Sequence, residues 1–348
     1  MITFFSDNHQ AHAPEFEFFR GERVPCFETP ARAEYVKVRL TARGHALRTP
    51  HTDSRAVLAK VHAPRYLAFL ENAWRDWALL EAGNDQRQPF PSVWPVRSLR
   101  SDIEPVNFIA RLGLYSMDNG SPLAAGTWTA AKAGADAAAS AAALLSAGGS
   151  EGRAVFCCSR PPGHHAGPDF MGGYCFLNNA AVAAQALRDA GAARVAILDV
   201  DYHHGNGTQS IFYDRADVLF VSLHGDPLTE YPFYLGHADE TGAGAGAGFN
   251  LNLPLPAGCT AARWFEALEA ACQRIGSYGA DALVVSLGLD TFAEDPISKF
   301  ALQSSDFGRL GERLGAIGLP TVFVLEGGYA AAALGTNAVN VIEGFEGA

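Results

Sequence analysis

The sequence predicts an α/β protein: an open, mostly parallel sheet with helices on both faces. Three observations predict it. Short runs rich in Val, Ile, Leu and Phe alternate with longer amphipathic or alanine-rich segments. The runs are continuously apolar, as strands covered on both faces must be. Five of them end in clusters of His, Asp, Asn, Glu and Tyr, and ligands of such sheets sit beyond the carboxyl ends of the strands.

In chain order, the strand-length runs are Thr3–Ser6, Ala154–Cys158, Arg194–Asp199, Val218–Leu223, Phe249–Leu253, Ala282–Leu287 and Pro320–Leu325. The helical segments are Pro64–Glu81, which carries an aromatic stripe, then Thr127–Ser146, Asn178–Ala190, Thr260–Tyr278, Ser305–Ile317 and Ala330–Phe345. No break in composition divides the chain, so residues 1–348 read as a single domain. The stretch Leu80–Leu123 is rich in Pro and Gly and reads as a long loop that shapes the active-site mouth. The run Gly242–Gly248 is a flexible loop; neither Lys-Ser/Thr nor a helix follows it, so it is no phosphate loop.

The formal net charge is −11 and the pI about 5.4. That balance excludes nucleic acid as the expected partner, since phosphate attraction needs a basic face, and it suits a small cationic ligand. The six cysteines show no C-x-x-C spacing and read as reduced thiols. The start, MITFFSDNHQ, lacks a basic region ahead of an apolar run. The alanine-rich stretch Ala130 to Gly149 holds Lys132 and Asp136 and is no membrane span. A cytoplasmic enzyme is expected.

The polar strand ends carry the chemistry. Asp201 and His203 are two apart on an extended segment, so their side chains point the same way about 6–7 Å apart. Asp290, at another strand end, is the best-placed third ligand. Two carboxylates, one imidazole and an open position make a catalytic pattern, and a structural zinc site would be closed and thiolate-rich. The hard oxygens also admit Fe(II), Co(II) or Mn(II). A lone D-x-H triplet is more often a capping Asp and a surface His; its neighbours give this one its weight. His164 and His165 follow Pro-Pro-Gly, with Asp199 and Asn206 as partners that can fix their tautomers. One of the two can serve as general base and the other as support or acid. Tyr329, delivered after Glu326-Gly-Gly, supplies the oxyanion donor that the other groups lack. A lone Tyr after Gly-Gly is usually structural. Amide hydrolysis suits the set better than redox or phosphoryl transfer, and no Ser or Cys sits in a nucleophile elbow.

The motifs RPPGHHA, FLNNAAVAA, ILDVDYHHGNGTQ, VSLHGDP, SLGLDTFAEDP and LEGGY stand in the order of the histone deacetylase family, which the chain resembles from Ala154 to Tyr329. The family's fold is the arginase/deacetylase fold. The N-terminal part, with the later GTW and HGDP segments, resembles the family's bacterial acetylpolyamine amidohydrolases over essentially the whole chain. The resemblance implies zinc on Asp201, His203 and Asp290. It makes His165 the base, with His164 beside it bonded to Asp199, and Tyr329 the oxyanion donor. Asn206 stands beside His165 where some relatives carry Asp, which implies a less basic ring. Tyr174, Tyr231, Gly173 and Ile297 would line the substrate tunnel. Structural potassium would sit at Asp199, Asp201, His203, Ser222 and Leu223, with a second ion at Phe212, Arg215, Val218 and Phe249. An N-terminal insertion, about residues 11–30, would narrow the mouth and form a homodimer. Glu17 and Glu104 match acidic mouth positions that attract a distal ammonium; alone, either reads as a solvated surface charge. A further acidic position aligns near Gly120, with Asp118 close by, which leaves the preferred amine length open.

The leading expectation is a zinc deacetylase of acetylated diamines and polyamines such as acetylputrescine and acetylcadaverine. An acetyl-lysine peptide deacetylase of the same chemistry is the alternative, and the insertion at the mouth argues against it. A binuclear manganese ureohydrolase would need more Asp and His ligands at these strand ends. A catalytically dead metal-binding protein would have no need of His164, His165 and Tyr329.

Overall fold

The computed structural model describes residues 1–148 and 153–348; Gly149, the last residue of the alanine-rich stretch, lies outside them. The strands are β1 (Ile2–Phe4), β2 (Glu17–Phe19), β3 (Glu22–Val24), β4 (Ala46–Arg48), β5 (Ala154–Cys157), β6 (Val195–Asp199), β7 (Val218–Gly225), β8 (Asn250–Leu255), β9 (Ala282–Leu287) and β10 (Thr321–Leu325). The helices are α1 (Ala31–Ala42), α2 (Arg55–Val61), α3 (Pro64–Leu80), α4 (Phe108–Leu114), α5 (Thr127–Ser146), α6 (Asn179–Asp189), α7 (Asn206–Phe212), α8 (Ala261–Tyr278), α9 (Ser304–Gly315) and α10 (Ala331–Glu346).

Eight strands form one sheet in the order β4-β1-β5-β10-β9-β6-β7-β8, and every pairing in it is parallel. β2 and β3 pair separately as an antiparallel hairpin. Consecutive strand residues bury into opposite layers, as the two-residue period of a strand requires. Phe156, Leu198, Val285 and Phe323 pack with Val36 of α1, Trp264 of α8, Phe307 of α9 and Ile342 of α10. Their neighbours Val155, Ile197, Val284 and Val322 pack with Phe69 of α3 and the alanines of α5 and α6. Alanine lets α5 and α6 lie close to the sheet, and α5 is buried along most of its length.

Seven elements differ from the sequence expectation. Helices α1, α2 and α7, strand β4 and the β2–β3 hairpin are additional, and α4 lies inside the expected long loop. β4 is a three-residue edge strand whose residues are exposed or half-buried, so no apolar run marks it. α7 begins within His-Gly-Asn-Gly, whose glycines mask a helix that its buried Thr208, Gln209 and Phe212 stabilise.

Asp199 ends β6 level with Ser222 of β7 and Ser286 of β9. Val324 of β10 stands level with Cys157 of β5 and Ser286 of β9. The loops after these five strands therefore leave from one edge of the sheet. Among the described residues, no helix is long and apolar enough to cross a membrane.

Candidate functional site

One ligand atom from each of Asp201, His203 and Asp290 lies within 4.8 Å of the others. His203 Nδ1 is 3.3 Å from Asp201 Oδ1 and 3.0 Å from Asp290 Oδ2. Both carboxylates are fully buried, and His203 is nearly so. Their remaining oxygens are held from behind: Gly327 N donates to Asp201 Oδ2 and Tyr202 N to Asp290 Oδ1. Burial and the charge of Asp201 push Asp290 up to about 7. Burial also opposes charge on Asp201, but His164 and His203 outweigh it and hold Asp201 well below the usual carboxylate range. Two buried carboxylates and an imidazole whose ligand atoms converge in this way form a donor set that fits a divalent cation.

The tandem histidines flank the triad and differ sharply from each other. His164 Nδ1–H donates to Asp199 Oδ2 at 3.0 Å, and its Nε2 lies 3.8 Å from Asp201 Oδ1. Burial works against its charge, yet Asp201 and Asp199 raise it to about 10. His165 Nδ1–H donates to Asn206 Oδ1 at 2.6 Å, and the two rings stand 4.0 Å apart. Burial and the neighbouring charges of His164 and His203 depress His165 well below its ordinary value. One ring is thus held charged and the other neutral, a division of roles that acid–base chemistry uses.

A cavity of about 610 Å³ opens above these groups. Its lining includes His165, His203, Asn206, Gly173, Tyr174, Tyr231, Ile297, Tyr329 and Glu17. Glu17 is 1% exposed, accepts from Tyr174 Oη at 2.8 Å and Phe27 N at 3.2 Å, and is raised by burial to about 7. Asp118 also lines the cavity and accepts from Tyr231 Oη at 2.7 Å and Gly173 N at 2.8 Å. Two cations reach the rim: Lys299 is paired with Glu230 at 2.5 Å, and Arg20 lies over the ring of Phe19.

A model of the histone deacetylase domain matches residues 26–345. The chain belongs to the histone deacetylase family. It is 54% identical to acetylpolyamine amidohydrolase 2 of Pseudomonas aeruginosa, over 100% of this chain and 99% of that protein. To the acetylpolyamine amidohydrolase of Mycoplana ramosa it is 44% identical over 100% of both chains. The crystal structure of the acetylpolyamine aminohydrolase of Burkholderia pseudomallei superposes with a TM-score of 0.93 at 41% identity, covering 99% of this chain and 98% of that one. The chain is accordingly a deacetylase, a hydrolase of amide bonds.

Not every residue expected at the deacetylase's site is there. Glu104 does not line the cavity: its carboxylate accepts from Arg111 Nε at 2.7 Å and Tyr115 Oη at 2.8 Å, because α4 turns this part of the loop toward α3. Asp118 is the cavity carboxylate that, like Glu17, has no ion-pair partner among the described residues; it stands two residues before the uncharged Gly120, whose own N–H caps Asp118 Oδ1 at 3.0 Å. Proximity to Gly120 was the sequence signal for it. Gly173 carries a partner at each end: its N–H goes to Asp118 and its carbonyl accepts the Cys175 thiol at 3.3 Å. Ser222, expected at the first potassium position, stands beside Asp199 in the sheet, with its hydroxyl 2.8 Å from His224 Nδ1. In that set Leu223 follows it on β7, and Asp201 and His203 leave β6 alongside. At the second, Phe212 O accepts Arg215 N and Phe249 O accepts Phe220 N, near the start of β7 at Val218.

Proposed function

We propose that this deacetylase removes acetyl or short acyl groups from acetylated diamines and polyamines such as acetylputrescine and acetylcadaverine, with zinc as its metal. One observation carries the reading: Glu17 and Asp118 stand in the wall of a cavity that ends on the Asp201–His203–Asp290 triad, and neither is ion-paired among the described residues. A buried carboxylate without a cationic partner is costly. The distal ammonium of a diamine would supply that partner while the acyl group reaches the triad. The names of the relatives, acetylpolyamine amidohydrolases, support the same substrate class.

Asp201, His203 and Asp290 would hold the zinc, which would supply Lewis acidity and lower the pKa of water; the two-oxygen donor set also admits Fe(II) or Co(II). His165, kept neutral, takes the proton of the attacking water. His164, held charged by Asp199 and Asp201, stabilises the negative charge that develops beside it. The Tyr329 phenol, on the cavity wall, donates to the carbonyl oxygen as that oxygen gains charge. A substrate panel tests the reading: acetylputrescine, acetylcadaverine, acetylspermidine and an acetyl-lysine peptide, each with enzyme reconstituted with one metal at a time. Turnover of the diamines under zinc is expected; turnover of the peptide alone would overturn it.

Potassium at the two carbonyl-rich positions, a cytoplasmic setting and a homodimer through the N-terminal insertion belong to the same proposal. The six free thiols suit a reducing compartment. The β2–β3 hairpin packs through Phe16 and Phe18 on Phe90, and the loop beyond exposes Val93, Val96, Leu99, Ile103 and Val106. A second copy would cover such a surface, and light scattering reads the resulting mass.

A further inference from the structure

The segment that carries Glu17 at the mouth also carries Glu28, far deeper. Glu28 is 3% exposed and lies between two buried guanidinium groups. Its Oε1 accepts from Arg32 Nη1 and from Arg160 Nε, each at 2.8 Å, and its Oε2 lies 2.8 Å from Arg160 Nη2. Arg32 in turn faces the Glu326-Gly-Gly-Tyr329 turn. Its Nε donates to Gly328 O and its Nη2 to Glu326 O, both at 2.6 Å, and its guanidinium carbon lies 4.8 Å from the centre of the Tyr329 ring. Arg160, which opens the Arg160-Pro-Pro-Gly-His-His turn, donates through Nη1 to His9 O at 2.7 Å.

The tyrosine turn needs this support. Gly328 adopts φ +120°, and a Cβ there would meet Leu334 Cδ1 at 2.5 Å. The chain therefore passes through a conformation open to glycine alone, and Arg32 satisfies two of its carbonyls. From the far side, Asp295 Oδ2 accepts the N–H groups of Tyr329 at 2.7 Å and Ala330 at 3.3 Å. Tyr329 is thus clamped between Arg32 and Asp295. The histidine turn is tied to the same place, since Glu326 Oε2 accepts from Gly163 N at 2.6 Å and His164 N at 3.1 Å.

We propose that Glu28 is a positioning residue of the deacetylation reaction. By holding Arg32 and Arg160 it sets Tyr329 against the His164–His165 pair, which makes the N-terminal segment part of the catalytic framework as well as of the mouth. The inference rests on the amide-hydrolysis reading above. Without the Glu28 charge, two buried guanidinium groups face each other with no anion between them, and a buried charge stripped of its partner is strongly unfavourable. Arg32 would move off the turn, and displacement of a reacting group by ~1 Å costs up to about 100-fold in rate.

Glu28→Gln and Glu28→Asp test this, with metal content and melting temperature recorded for each and kinetics on acetylputrescine and on the neutral N-butylacetamide. Glu28→Gln should lower kcat by about 10- to 100-fold on both substrates, with KM nearly unchanged, and Glu28→Asp should recover part of the loss. In a Tyr329→Phe background the same change should cost several-fold less, because the phenol it positions is gone. Wild-type kcat in folded, metal-loaded Glu28→Gln, or an equal loss with and without the phenol, would overturn the proposal. Should Glu28→Gln not fold, Arg32→Lys carries the test with the same expected pattern, and wild-type kcat there overturns it equally. Wild-type enzyme inactive on every acetylated amine would sink the deacetylation reading and this inference with it; an active wild type beside an unaltered Glu28→Gln sinks this inference alone.

Discussion

Replacing Asn206 by Asp exchanges an amide for a carboxylate at the contact that orients His165. His165 Nδ1–H donates to Asn206 Oδ1 at 2.6 Å, and the ring is depressed by burial and by the charges of His164 and His203. The adjacent His164 shows what a carboxylate does in the same surroundings, since with Asp199 at 3.0 Å and Asp201 nearby it rises to about 10. A new carboxylate at position 206 would place a unit charge ~4 Å from the imidazolium centre. At an effective dielectric of about 20 this favours the charged ring by ~4 kcal/mol, or about 3 pK units. Desolvation of the new carboxylate opposes the shift, so about 1–3 units are expected. The sign is fixed: an anion favours the protonated imidazole, and His165 acts as a base only above its pKa. The acid limb of kcat/KM should therefore move to higher pH in Asn206→Asp, so that activity is lost first at the acid end of the profile and retained at the alkaline end. The assay is a pH profile from 5 to 10 on N-butylacetamide, whose lack of charge keeps Glu17 out of the result. Asn206→Ala is the control and should keep its acid limb low. An acid limb that does not move in Asn206→Asp would refute His165 as the base.

Further outcomes follow from the same geometry. Glu17 is raised to about 7 by burial, so it ionises as pH rises through that value, and KM for acetylputrescine should fall between pH 6 and 8. Glu17→Gln should abolish that trend and raise KM about 10-fold, the loss of one charge-assisted hydrogen bond, with N-butylacetamide unaffected; a persisting trend would assign the titration elsewhere. Tyr329→Phe should lower kcat by about 10²–10³ with full metal content measured by plasma emission, and near-normal kcat would remove the phenol from the mechanism. In Gly288→Ala the new Cβ would stand 2.0 Å from Asp201 Oδ2 and 2.4 Å from its Cα. That variant should purify with well under one metal per chain and a lowered melting temperature, and full metal occupancy would contradict the placement of Asp201 as a ligand.

Local pattern was enough for the frame of the sheet. The apolar runs at β5, β6, β7, β9 and β10 and the helices between them were legible because a buried parallel strand is marked by its own residues. Their ends were equally legible, since a strand that stops in Asp-Val-Asp201-Tyr-His203 announces both its limit and its chemistry. Long-range pairing and packing set the rest. β4 and the β2–β3 hairpin are three-residue strands, too short for any period to show, and pairing with a distant partner defines them. Glu104 and Asp118 are alike as sequence, each an acid in a polar stretch. Packing gave Glu104 to Arg111 and Tyr115, and turned Asp118 to the cavity. Glu28 meets Arg160 across 132 positions, and Arg32 meets Gly328 across 296. Nothing in the spacing of those residues specifies such pairs. They exist because a buried charge is tolerated only beside its partner, and the fold alone decides which partner is within reach.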